Sequence, residues 1–179
     1  KQRHNRASNR QNRLLPKHYL CIMKPASLSD IKKELQLLDP QHLTELCIRM
    51  ARYKKENKEL LTYLLFESTN EQAFIDGIKD ETIAFFETIN DSNLYFAKKS
   101  IRKILRNINK HIRYSGNTAT QVELLIFFCK SLKESGIPYH TSAAMVNLYD
   151  AQIKKINKAL STMHEDLQYD FKKDLKQLI

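Results

Sequence analysis

The sequence predicts an all-α protein, an antiparallel multi-helix bundle or a short array of α-hairpins with seven to eight helices. Its 179 residues include only three glycines and four prolines, so few positions favour the tight turns that join strands. From Ser27 onwards, apolar residues recur at intervals of three and four, which is the spacing of one helix face. The segments between these patterns are short, and short connections favour antiparallel neighbours.

Capping residues mark the first two helices. Ser27 with Asp30 three residues later is a variant of the capping box, and Asp39 directly before Pro40 is the clearest start signal in the chain. The helix that begins at Pro40 is expected to bury an apolar stripe made of Leu43, Leu46, Cys47 and Met50.

The pattern is ambiguous over "RYKKENKE" (52–59), where either Asn57 caps a further helix or one long helix runs from Pro40 to Glu67. If a separate helix forms there, its stripe is Leu60, Leu61, Leu64 and Leu65. Later helix starts are expected at Thr69 or Asn70, Asp91 or Ser92, Thr118 or Thr120, and Thr141 or Ser142. Ends are expected at Gly116 and Gly136, with a break near Ser161.

The positive charge is concentrated at the beginning of the chain. Of thirty Lys and Arg and twenty Asp and Glu, residues 1–24 hold seven basic and no acidic side chains, which leaves 23 against 20 in the remainder. Residues 1–24 are predicted to be a disordered basic arm, and residues 25–179 a single all-helical domain. Two interpretations of the arm stay open. It is either a tail that contacts phosphates or, for residues 1–22, upstream sequence foreign to the native protein, since the chain begins with Lys and Met23 stands shortly before the first helix signal.

A basic helix is the most distinctive internal feature. "SNLYFAKKSIRKILRNINKHIRYSG" (92–116) contains no acid, and its candidate nucleic-acid-binding residues are Lys98, Lys99, Arg102, Lys103, Arg106, Lys110 and Arg113. Four of these are spaced by four residues, and like charges so stacked repel by about 0.2–0.5 kcal/mol per pair. The counter-charge comes either from a polyanion or from acids of the preceding helix, which are Glu67, Glu71, Asp76, Asp80, Glu81, Glu87 and Asp91. Tyr95 and Tyr114 stand near its ends, where they either stack on bases or pack at the edge of the core.

Motifs for catalysis and metal binding are absent from the sequence. There is no Gly-rich phosphate loop, no G-x-S-x-G and no HExxH, and the three cysteines (Cys21, Cys47 and Cys129) form no zinc-ligand pair. His164 with Glu165 is the one local cluster that suits acid–base or metal chemistry, and a solvated helix is the favoured interpretation of it. No catalytic residue, metal or cofactor is expected.

The cysteines and the apolar runs indicate a location. Cys47 and Cys129 lie in apolar helical patterns typical of core cysteines, which favours a reducing, cytoplasmic compartment. The longest apolar run, "VELLIFFC" (122–129), is too short to cross a membrane, so no membrane association is expected.

The stretch "IKKELQLLDPQHLTELCIRMARYKKENKELLTYLL" (31–65) resembles a group of uncharacterised bacterial all-helical proteins classed as domains of unknown function. They share a "KKEL" helix, a Leu-Asp/Ser-x-x-x-Leu restart and a "KENKEL"-like junction. The resemblance implies a helical fold and a bacterial origin, and it transfers no site residue.

Taken together, these features favour a non-enzymatic helical interaction or adaptor protein of the bacterial cytoplasm with an unidentified protein partner. The alternative is an RNA- or DNA-binding protein that uses the basic helix 98–113. An enzyme with its site at His164 and Glu165 is a third hypothesis.

Overall fold

A computed structural model describes residues 24–90 and 93–178, and within these ranges the protein is all-α. Eight α-helices are found, so the expected fold class and helix number are confirmed. The predicted arm lies outside the described residues except for Lys24. The chain divides into two units, one ending at Leu46 and one beginning at Cys47. The prediction of a single domain from residue 25 stays a prediction.

The first two helices begin where the capping residues predict. Helix α1 spans Leu28–Leu37, and the Ser27 side chain accepts a hydrogen bond from the Asp30 N–H. Helix α2 spans Pro40–Tyr53, and the Asp39 carboxylate accepts hydrogen bonds from two backbone N–H groups of its first turn. These contacts satisfy donors that a helix N-terminus otherwise leaves unpaired.

Neither helix buries a side chain, so the buried stripe predicted for α2 is wrong. Leu43, Leu46 and Met50 are exposed, and Cys47 carries an exposed free thiol. Helical periodicity identifies which residues share a face, but it carries no information about whether another element covers that face.

The single long helix from Pro40 to Glu67 is not formed. The backbone is extended at Lys54, and helix α3 follows at Lys55–Thr62. Asn57 does not cap α3: it lies inside the helix, and its side-chain amide donates to the Met50 carbonyl at 2.9 Å. Its amide thus donates to one of the last carbonyls of α2, which have no N–H donor within that helix.

A π-helical turn, Tyr63–Glu67, continues directly from α3. Each such turn holds about one residue more than an α-helical turn and so rotates the following side chains by roughly 100°. Tyr63, the first residue of the turn, is buried, whereas Leu64 and Leu65 are exposed. The predicted stripe is therefore right for the half-buried Leu60 and Leu61 and wrong for the other two leucines.

Helices α4 (Glu71–Glu87), α5 (Leu94–Ser115) and α6 (Thr118–Glu134) form the centre of the second unit. Asn70 caps α4 and Asn117 caps α6, each through its side-chain oxygen. Helix α5 starts after Asn93, whose side chain accepts a hydrogen bond from the Tyr95 N–H. The expected caps Asp91 and Ser92 lie outside the described residues. The helix ends at Gly116 with φ 66°. Only a residue without Cβ adopts that left-handed conformation at little cost.

Helices α4 and α5 run antiparallel, as expected. The beginning of α4 contacts the end of α5 through Glu71 and Ser115, and the end of α4 contacts the middle of α5 through Glu81 and Asn107. The core between these helices and α6 is apolar and continuous. Its side chains that are at most 1% exposed include Ala97, Ile101, Ile108, Val122, Leu124, Leu125, Phe128, Cys129 and Leu132.

Helices α7 (Ala143–Leu160) and α8 (Glu165–Lys176) complete the unit, and the break expected near Ser161 separates them. The buried Tyr149 hydroxyl donates to the Leu178 carbonyl at 3.0 Å, and Lys133 of α6 donates to the Gln177 carbonyl at the same distance. These two contacts fix the last turn of the chain against α6 and α7. No helix in the described ranges is long and apolar enough to cross a membrane.

Replacement of Leu132 by Ala is expected to lower the free energy of unfolding by about 2–5 kcal/mol, because the side chain is fully buried and its loss leaves a cavity. Leu65→Ala is the matched control, since Leu65 is 60% exposed and its replacement is expected to change the free energy by less than about 0.5 kcal/mol. Urea denaturation of both variants checks this. Equal losses in the two variants would contradict the assignment of the core.

Candidate nucleic-acid interface

The amphipathic pattern of α5 determines which of its side chains are exposed. Its buried side chains are Ala97, Ile101, Ile104, Leu105 and Ile108, all within one sector of the helix. The opposite sector carries Lys and Arg without any acid between Leu94 and Ser115. At 1.5 Å per residue, the cations from Lys98 to Arg113 extend over roughly 22 Å of the helix axis.

The seven candidate residues divide into two groups. Lys99, Arg102, Lys103, Arg106 and Arg113 are exposed, and we call these five the basic face. Lys98 is half-buried at the edge of this sector, whereas Lys110 lies within the sector and is half-buried. The structure thus places five of the seven candidates on one open surface.

Lys110 is engaged within the protein. Its ammonium lies 2.8 Å from the Glu59 carboxylate of α3, and the Tyr114 hydroxyl donates to the same carboxylate oxygen at 2.9 Å. The hydrogen bond from Lys110 lowers the pKa of Glu59, while burial and the neighbouring carboxylate raise the pKa of Tyr114 to about 12. Lys110 and Tyr114 therefore attach α5 to α3 and are not free for a ligand.

The acids of α4 do not pair with the basic face. Glu71 accepts hydrogen bonds from the hydroxyls of Ser115, Thr120 and Tyr63. The Asp76 carboxylate lies 3.6 Å from the Lys79 ammonium of its own helix. Glu81 accepts a hydrogen bond from the Asn107 side-chain amide. Asp91 lies outside the described residues. Among the described residues, no carboxylate lies within ion-pair distance of the basic face, so the neutralising role expected for these acids is not found.

A groove of about 420 Å³ runs beside the basic face. Phe85 and Thr88 at the end of α4 line it, together with Ser100 and Asn107 of α5. Lys103 also lines it, and its ammonium lies 5.9 Å from the centre of the Phe85 ring. The charged side chains that line it are four basic (Lys103, Arg106, Lys110 and Arg113) and one acidic, Glu56.

Two larger pockets lack this excess of positive charge. A pocket of about 650 Å³ between α4, α6 and α8 is lined by three lysines and three carboxylates. A pocket of about 600 Å³ between α3, α4 and α5 is lined by Lys55 and Lys58 against Glu59, Glu67 and Glu81. Of these three sites, only the groove along α5 suits a polyanion.

Sequence reasoning missed the polar contacts that hold α5 in place. Glu59 lies in the leucine-rich "KENKELL" segment and Glu71 opens α4, and neither position differs in pattern from an ordinary solvated acid.

His111 is also part of this region: burial lowers its pKa, and its Nδ1 is buried without a hydrogen-bond partner among the described groups. Its ring contacts Phe74 and Tyr114 edge-on, so it packs as an aromatic side chain of the core edge.

The sequence also singled out His164 and Cys129, which lie outside α5. His164 precedes α8, is largely exposed and lies 3.3 Å from Asp166. Burial raises the pKa of the Cys129 thiol to about 12, in agreement with a core cysteine. In the described ranges, no group of three His, Cys, Asp or Glu side chains is arranged to hold a metal ion.

In comparisons with protein-family models, curated proteins and solved structures, none matched this chain. The resemblance of residues 31–65 to bacterial helical domains of unknown function therefore stays a prediction.

Replacement of Glu71 by Gln is expected to lower the free energy of unfolding near neutral pH by about 1–3 kcal/mol, because three hydroxyls donate to its carboxylate. Burial alone would raise the pKa of Glu71, but these hydrogen bonds outweigh burial and lower it. Its contribution is therefore complete above the pKa of the unfolded chain and is lost as the pH falls through the lower pKa of the folded state.

Urea denaturation at neutral and acid pH measures this difference between Glu71→Gln and the unaltered protein. The difference should shrink on acidification. Glu67→Gln is the control, since Glu67 is exposed and should show almost no effect at either pH. A deficit in Glu71→Gln that does not change with pH would contradict the role of the charged carboxylate.

Proposed function

We propose that the protein is a non-enzymatic binding protein that contacts the phosphates of a nucleic acid through the basic face of α5. The observation that carries the proposal is that five exposed Lys and Arg share one helix face and have no carboxylate partner among the described residues. Unpaired cations spaced along a helix suit successive phosphates, whose counterions they displace on binding.

The groove supports this proposal. Of its four basic side chains, Lys103, Arg106 and Arg113 belong to the basic face, whereas Lys110 is paired with Glu59. The helix that carries them is packed on its opposite face. Because a packed helix carries these charges, they are already in position for a ligand, and no loop has to become ordered first. The basic arm of residues 1–24, if native, would add to the same electrostatic attraction.

A helical adaptor with a protein partner is the second candidate. It is favoured by the π-helical turn, which leaves three consecutive large apolar side chains exposed, Leu64, Leu65 and Phe66. The cytoplasm remains the proposed location for either function, and the exposed free thiol of Cys47 is compatible with a reducing compartment.

Reversal of two charges tests the proposal. The variant Arg102→Glu with Arg106→Glu should bind RNA and duplex DNA more weakly than the unaltered chain, because each substitution removes a phosphate contact and adds repulsion. The slope of log affinity against log salt concentration should become shallower by about 2 for the duplex. Fluorescence anisotropy of labelled probes across a salt series measures both quantities.

Lys154→Glu with Lys155→Glu on α7 is the matched control, since both lysines are exposed and the change in net charge is identical. It should retain most of the affinity. Equal losses in the two variants would show that only net charge matters, and unaltered binding by the α5 variant would exclude the basic face as the contact surface.

A further inference from the structure

Two aromatic side chains are exposed where α5 begins. Tyr95 is 71% exposed and Phe96 is 54% exposed, and their rings lie edge to face with centres 5.5 Å apart. The Tyr95 hydroxyl has no hydrogen-bond partner among the described residues, in contrast to the hydroxyls of Tyr63, Tyr114 and Tyr149. Exposed rings of this size offer apolar area that the fold itself does not use.

These rings are aligned with the basic face. At about 100° per residue, Tyr95 falls within roughly 60° of Lys99, Arg102, Arg106 and Arg113 around the helix axis. Along the axis it precedes Lys99 by about 6 Å and Arg106 by about 16 Å. Phe96 is rotated by about 100° from Tyr95, toward the side of Lys103 and the groove.

The other aromatic residue that the sequence offered for base stacking does not serve this purpose. Tyr114 is half-buried, donates its hydroxyl to Glu59 and has the Lys110 ammonium 5.9 Å from its ring centre. Its ring is thus part of the contact between α3 and α5. The aromatic end of the basic face is the N-terminal one.

We infer that this surface binds single-stranded nucleic acid, with unpaired bases stacked on Tyr95 and Phe96 and the adjoining phosphates on Lys99, Arg102 and Arg106. The inference rests on the proposed function and specifies the class of its ligand. Proteins that bind single strands without sequence preference combine a basic track with aromatic rings on which bases stack. In a duplex the bases are already stacked and paired, so the rings would find no free base face.

Helix α8 offers a contrasting arrangement of an exposed tyrosine and lysines. Tyr169 is 77% exposed beside Lys172 and Lys173, but α8 also carries four acids. On α5 no acid interrupts the basic residues. Tyr169 therefore provides a matched control for an exposed tyrosine near lysines that is not expected to bind.

The test compares three labelled probes of equal length: a single-stranded oligothymidylate, a single strand with the same backbone that lacks bases, and a duplex. The full chain and the variant Tyr95→Ala with Phe96→Ala are titrated by fluorescence anisotropy. The variant should bind oligothymidylate about tenfold or more weakly, since two stacking rings are removed. Its affinity for the abasic strand and for the duplex should not change.

Conservative variants and the control separate stacking from structural damage. Tyr95→Phe with Phe96→Tyr keeps both rings and should retain the affinity for oligothymidylate, as should Tyr169→Ala. Equal losses for oligothymidylate and the abasic strand would overturn the stacking role. So would an unaltered chain that prefers the duplex.

The outcomes also distinguish this inference from the proposed function. If the ring variant binds every probe as the unaltered chain does, while Arg102→Glu with Arg106→Glu loses affinity, the stacking inference is wrong and the phosphate-binding proposal stands. If the unaltered chain binds none of the probes at low salt, both are wrong, and a protein partner becomes the remaining candidate.

Discussion

Burial of the isoleucine-rich face of α5 between α4 and α6 is the constraint on which the rest of the second unit depends. Ala97, Ile101 and Ile108 are at most 1% exposed, so the helix cannot rotate about its axis without moving apolar area into water. With the rotation fixed, Arg102 and Arg106 must point away from the core. The orientation of the basic face is therefore a consequence of packing and needs no further interaction to maintain it.

Two carboxylates add directional contacts to this packing. Glu71 joins the π-helical turn, α5 and α6 through three hydroxyl donors, and Glu59 joins α3 to the C-terminal half of α5 through Lys110 and Tyr114. Half-buried charges are stabilised by such partners, because desolvation is otherwise costly. Glu59 and Glu71 are thus used for internal contacts, and the five cations of the basic face have no carboxylate partner among the described residues.

The sequence was sufficient to predict the helices and most of their ends, because capping side chains act over three or four residues. Ser27, Asp39 and Gly116 are examples in which the local chemistry determines the boundary. The burial of α2 could not be predicted, since a stripe such as Leu43 and Leu46 has the same spacing whether or not it is covered. The π-helical turn was also unpredictable, because one additional residue in a turn leaves no periodic signal.

For the candidate site, the sequence composition was enough to locate the basic helix. Ion pairs with other helices determine which of its cations lack a carboxylate partner. Lys110 and Arg106 are equivalent in the sequence pattern, and only the position of Glu59, 51 residues before Lys110, separates them. Such long-range pairs are invisible to local spacing rules. In the same way, only the structure shows that Tyr95 and Phe96 are both exposed, because exposure is not specified by the local sequence.

Lysine protection measures the contact surface most directly. The chain is acetylated briefly with and without bound oligothymidylate, and the modified lysines are identified by mass spectrometry. Our account predicts that Lys99 and Lys103 become protected, that Lys154 and Lys155 react equally in both states, and that Lys110 reacts slowly in both because Glu59 holds it. Protection restricted to lysines outside α5, or no protection of Lys99 and Lys103 under conditions of saturated binding, would contradict the central claim.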